Sequence, residues 1–174
     1  LTMDFHTEAN IVRALGRMIE AGHLVKGSKP VYWCLDCVSA LAEAEVEYEE
    51  KTSPAIDVMF PVVDAADLWK RVGADGKQEG RMAVVIWTTT PWTLPANQAV
   101  ALHPEFDYQL IRCETSVGEM YLVLATELTA AVIQRCDIRN VKTLVRFKGQ
   151  ALEGLKLQHP FYLREVPVIL GEHV

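Results

Sequence analysis

The stretch "RMAVVIWTTTPWTLPAN", Arg81 to Asn97, decides how this chain reads. No unbroken apolar run in the chain is longer than Met82 to Trp87, a continuously apolar strand. That strand delivers the chain into Thr88, Thr89 and Thr90, and Pro91 and Pro95 then fix backbone dihedrals through a turn. The result is a rigid loop rich in hydroxyls, with no carboxylate, histidine or cysteine between Trp87 and Asn97. Composition alone leaves two readings open. One is a polar strand exit with two packing tryptophans, Trp87 and Trp92. The other is a recognition loop, because aromatic walls, several hydroxyl donors and the carboxamide of Asn97 cluster beside a sheet, a set that suits a small polar ligand.

Outward from this loop the texture is that of strands. Ile56, Val58, Phe60 and Val62 alternate, and "FDYQLIR", "EMYLVLA", "VKTLVRFK" and "VPVIL" follow at spacings set by turn signals. Two short helices interrupt them: "DAADLWKRV", capped by Asp64 and stopped at Gly73, and "TELTAAVIQRC", capped by Thr126. Many strands, few helices and no regular alternation of the two imply an α+β fold, a mixed, barrel-like sheet spanning residues 51–174. Residues 1–50 read as a helical stem preceding it. Ile11, Val12, Leu15, Met18 and Ile19 recur at helical spacing, with Thr2 or Asp4 as cap and Gly22 as stop. Beyond it come a short extended "VYW", a tight "CLDC" knuckle, and "AEAEVEYEE", whose period of two favours a strand.

Bulk properties narrow the function. The 174 residues fit one domain of ordinary size, or one domain plus an appended piece, and half of them are hydrophobic, so the chain should bury a sizeable core. Its 17 basic and 23 acidic side chains leave a net charge of −6, which argues against holding nucleic acid by bulk phosphate neutralisation, so such contact should be local. The apolar run falls far short of the roughly 18 to 20 residues that span a bilayer. With no signal-like N-terminus in "LTMDFHTEAN", the expectation is no membrane partner and a cytoplasmic address. A start at Leu1 and an apolar ending in "PVILGEHV" lead us to expect a piece of a longer polypeptide.

Cys34 and Cys37 stand at C-x-x-C spacing and can face one side of a tetrahedral zinc, yet two ligands make only half a site. Two ordinary thiols in a turn is the competing reading, ahead of a redox pair, because no thioredoxin-like βαβ pattern surrounds them. Cys113 and Cys136 lack metal-ligand spacing, and His6, His23, His103, His159 and His173 are scattered among caps, turns and strand ends, which reads as structural.

"TTTPWTLPAN", Thr88 to Asn97, resembles the threonine-rich peptide in the connective-peptide editing domain of class I isoleucyl-tRNA synthetases. Valyl and leucyl enzymes share a Thr-Thr-x-Pro-x-Thr core but typically carry arginine in place of Thr90 and an acidic residue in place of Trp92. "DFHTEAN", "KPVYWCLDCVSALAEAEVEYEEKTSPAIDVMF" and "HPFYLREVPVILGEHV" resemble the same family, so the likeness covers essentially the whole chain. It implies a domain inserted into a Rossmann-type catalytic domain, joined by a stem at residues 1–50, that hydrolyses valine wrongly attached to the isoleucine tRNA. A pocket made for isoleucine cannot exclude valine strongly, because one methylene is worth only about 1 to 3 kcal/mol, a magnitude established on this enzyme family itself. A second, smaller sieve solves the problem.

The resemblance assigns Thr88, Thr89 and Thr90 to catalysis, orienting the terminal adenosine and ester and stabilising the developing oxyanion, with water as nucleophile. It assigns Trp92, Thr93 and Asn97 to substrate binding, Trp92 with the loop around it as a steric wall and Asn97 either to fix the loop or to contact the adenosine. It further implies that a Gly-Thr-Gly, histidine and aspartate signature follows Val174, so that residues 51–174 lack the C-terminal part that anchors the substrate's ammonium group. Editing needs no cofactor. Zinc at Cys34 and Cys37 would need ligands outside this chain, and ATP serves the parent's synthetic domain. The implied partners are the acceptor end of the isoleucine tRNA, mischarged valine and the rest of the synthetase. A catalytically incomplete piece that only binds the aminoacyl-adenosine end is the alternative.

Overall fold

The structure is a computed structural model that describes residues 1–74 and 80–174. It divides into two compact units, Leu1–Lys51 and Thr52–Val174.

In the first unit the helical spacing yields α1, Phe5–Glu20. Asp4 is its cap, with the carboxylate accepting from the backbone N–H of His6 (3.0 Å) and Thr7 (3.2 Å). Gly22 ends it at φ 77°, a conformation open to glycine without Cβ strain. A small antiparallel hairpin follows, β1 (Tyr32–Cys34) and β2 (Ser39–Leu41), with the "CLDC" turn at its tip. The strand expected in "AEAEVEYEE" does not form. Glu43–Glu45 is a single 3-10 turn and the rest is irregular. A strand needs a partner edge to satisfy its backbone, and none pairs with this segment among the described residues. Glu45 instead turns back to accept from the N–H of Ala42 at 2.8 Å.

The second unit is built on a five-stranded mixed sheet in the order β3-β4-β7-β6-β8: β3 Ile56–Pro61, β4 Met82–Thr88, β7 Gly118–Ala125, β6 Asp107–Thr115 and β8 Arg139–Lys148. β4 pairs parallel with β7, and the other neighbours are antiparallel. Phe60, Val84, Leu110 and Val123 bury on one face, over α2 (Ala65–Arg71) and a second sheet. Ala83, Ile111 and Leu122 bury on the other, with Val132 of α3 (Thr129–Arg135). Covered on both sides, β4 and β7 read as continuous apolar runs, whereas β3 alternates.

The second sheet is β5 (Val100–Leu102), β10 (Glu165–Leu170) and β9 (Lys156–Gln158), with β10 in the centre, parallel to β5 and antiparallel to β9. One bridge, Val62 to Leu157, links the sheets at a corner, and among the described residues β8 and β5 remain unpaired edges. The α+β reading therefore holds, but the sheet does not close into a barrel. Asp64 caps α2 as expected, its carboxylate accepting from Ala66 N–H at 2.8 Å. Thr126 does not cap α3: the helix is entered from Leu128, and the Thr126 hydroxyl is buried with no partner among the described residues.

Candidate functional site

The threonine loop is a strand exit turned by its own side chains. Thr90 N–H donates to Thr88 Oγ1 (3.1 Å), the hydroxyls of Thr88 and Thr90 lie 3.3 Å apart, and Thr93 Oγ1 donates to the carbonyl of Thr90 (2.8 Å). Pro91–Ala96 then forms a 3-10 turn whose one buried side chain, Leu94, pins it to the core. Proline at the start of the turn supplies its φ in advance and removes a donor that would lack a partner. Asn97 closes the loop. Its N–H donates to Leu94 O and its Nδ2 to Ala99 O, both at 2.9 Å, while its Oδ1 is buried without a partner among the described residues. An unpaired buried acceptor costs stability.

Beside the loop opens a cleft of about 470 Å³, lined by Trp87, Thr88, Thr93 and Asn97 on its polar side and by Ile86, Leu94 and Val100 on its apolar side. That volume suits a small polar ligand. The cleft gathers Thr88, Thr93 and Asn97. Thr90 supports Thr88 and Thr93 from behind, and Thr89 and Trp92 are exposed and outside the lining, Trp92 at 66%. Trp87, which the sequence offered only as an aromatic wall or a packing residue, is the tryptophan that lines it.

A larger cavity of about 550 Å³ lies under α3 and shares Ile86 and Trp87 with the cleft. Its polar groups are already engaged. Arg135 binds Asp57 through two bonds of 2.6 and 2.7 Å, and the Tyr108 hydroxyl accepts from His103 N–H at 3.1 Å. The paired guanidinium holds the Asp57 carboxyl below its ordinary range, and burial, partly offset by the His103 N–H, pushes the Tyr108 phenol up. Of the two, the smaller cleft is the one that gathers the side chains of the threonine loop.

The loop is also held from a distance of some 65 residues along the chain, which sequence spacing did not reveal. His159, 2% exposed, places Nε2 at 2.9 Å from Leu94 O. Arg164 donates to the carbonyls of Pro95 (2.8 Å) and Asn97.

At the knuckle, Cys37 N–H donates to Cys34 Sγ at 3.3 Å, and this bond, with further donors from Cys37 and Asp36, lowers the Cys34 thiol below its ordinary range. Two thiols fit half of a tetrahedral zinc site. No group of three or more metal-ligating side chains occurs among the described residues. No helix among them is long and apolar enough to cross a membrane.

The family model for class I tRNA synthetases (I, L, M and V) matches residues 1–154. The chain belongs to this family. Over all 174 residues it is 60% identical to the isoleucine–tRNA ligase of Nitrosococcus oceani and 61% to that of Thioalkalivibrio sulfidiphilus, and over a 176-residue alignment 62% to that of Methylococcus capsulatus. It spans 18% of the length of each of these synthetases. The crystal structure of GlLeuRS-CP1 is similar in fold, with a TM-score of 0.56 at 9% sequence identity over 68% of this chain and 49% of that one.

Proposed function

We propose that this synthetase segment is the editing part of an isoleucine–tRNA ligase and that the threonine-loop cleft receives the aminoacyl-adenosine end of a mischarged tRNA. The observation that carries this reading is the gathering of Thr88, Thr93 and Asn97 around one cleft at the sheet exit. Water attacks the ester carbonyl, a new C–O bond forms, and the bond to the ribose oxygen breaks. The water's proton passes to that oxygen with help from the neighbouring ribose hydroxyl. Thr88, Thr89, Thr90 and Thr93 act by positioning the ester and supplying donors to the oxyanion, since threonine is no general base at neutral pH. Asn97 meets the adenosine, and Trp92, exposed at the loop tip, closes over the side chain as the size sieve. Cys34 and Cys37 form half of a zinc site completed by ligands elsewhere in the synthetase.

One observation favours a second reading, binding without cleavage: among the described residues no carboxylate or histidine lines the cleft to hold the substrate's ammonium group. Deacylation separates the two. Valine should leave isoleucine tRNA faster in the presence of the chain than without it, while isoleucine stays. Retention of both, with measurable binding of the aminoacyl end, would favour the second reading, and Trp92→Ala with unchanged selectivity would remove Trp92 from the sieve.

A further inference from the structure

Resting on that reading of the cleft, we infer that His159 and Arg164 are positioning residues that hold the threonine loop in its working shape by clamping its backbone carbonyls at Leu94, Pro95 and Asn97. They lie on the turn between β9 and β10, while the loop leaves β4 of the first sheet and enters β5 of the second, so the clamp grips the loop where it passes between the sheets.

The clamp is itself set by hydrogen bonding. His159 Nδ1 accepts from the backbone N–H of Phe161 (3.1 Å) and Tyr162 (3.2 Å) and must be unprotonated. Nε2 therefore bears the proton and donates to Leu94 O, a tautomer assigned from these partners. The ring is wedged, with Tyr162 stacked at 5.1 Å and Phe60 edge-on at 6.3 Å. Gln158 pins the same turn, donating to the carbonyls of Tyr162 (2.6 Å) and Arg164 (3.1 Å). Arg164 spans the end of the loop, where its charge makes the two carbonyl bonds stronger than neutral ones.

Two features point beyond mere packing. All three clamped groups are carbonyls of the segment that carries Thr93 and Asn97, the loop's cleft-lining polar groups after Thr88. In addition, Arg164 Nε and Asn97 Oδ1 are both buried without partners among the described residues, so two unmet polar groups lie at the clamp and at the loop end it holds. Displacement of the loop by even about 1 Å is enough to lose up to about a hundredfold in rate, because the ester must meet its donors in one geometry.

The test uses the 174-residue chain with Arg164→Met, Arg164→Lys and His159→Gln, and two readouts. In valyl-tRNA deacylation, Arg164→Met and His159→Gln should lower kcat/KM about 10- to 100-fold, and Arg164→Lys should recover part of the loss. In amide hydrogen exchange, Thr93 and Asn97, whose N–H groups bond within the loop, should exchange at least about tenfold faster while Val123 in the core holds its rate, the signature of local opening. Loop amides that keep the wild-type rate, or that speed up in step with Val123, overturn the clamp, as does deacylation by Arg164→Met and His159→Gln at the wild-type kcat/KM. Should the unaltered chain fail to deacylate, the proposed function falls while the exchange readout still decides the clamp.

Discussion

Residues 1–51 and residues 52–174 are folded by different physics. The first unit buries no residue fully, and the apolar stripe of α1 is left open, Ile11 at 57% and Leu15 at 49% exposed. Local signals make its helix: a cap, a stop and a 3.6-residue repeat. In the second unit Phe60, Leu110, Val123 and Leu157 are wholly buried, and local signals only trim the ends of elements that packing selects. A helix of 16 residues is marginal alone in water, so the first unit has surface to offer and little stability of its own. The second unit can hold a loop rigidly enough to serve as a site.

The largest expected effect breaks the comparison outright if it fails. Phe60→Ala should cost about 3 to 5 kcal/mol in urea unfolding followed by the buried Trp69, whereas Leu15→Ala should stay within about 0.5 kcal/mol. Equal costs would mean that α1 is packed as a core helix in the chain. Next comes thiol reactivity. Cys34 is acidified by the Cys37 N–H, while burial pushes Cys113 up to about 11. At pH ~8 iodoacetamide should label Cys34 more than about tenfold faster than Cys113, and equal rates would show the second unit opening as freely as the first.

The smallest effect sharpens the picture within the second unit. Arg135→Met removes the partner of Asp57 and should cost about 0.5 to 1 kcal/mol near neutral pH. Asp57 has its pKa depressed in the folded state, so its contribution is present above the ordinary aspartate range and is lost as pH falls through the folded value. The two proteins should therefore converge in stability in acid. A difference that persists there would assign the effect to packing instead.

Much of this was legible because the signals were local. Asp64 announces its cap, Asp4 is one of the two caps offered for α1, the alternation from Ile56 marks a strand, and the run to Trp87 marks another. Local signals misled where a distant partner decides. The two-residue period after Ala42 found no strand to pair with among the described residues, and Thr126 had its backbone N–H taken by Asp107 O before the helix began. Of the site, Thr88, Thr93 and Asn97 could be read from one loop, but which tryptophan lines the cleft could not, because adjacent turns decide it. His159 and Arg164 reach the loop only through the pairing of β10 with β5 and β9, and scattered histidines give no sign of such a contact.

The central claim, that the threonine loop is the binding site for an aminoacyl-adenosine end, is tested most directly by titrating the labelled chain with a hydrolysis-resistant 3′-valylamino adenosine and following its backbone amides by NMR. Shifts concentrated at Thr88, Thr93 and Asn97 are the expected result. Shifts gathered instead at Asp57, Leu128 and Arg135 around the second cavity, or no shifts at all, would contradict it.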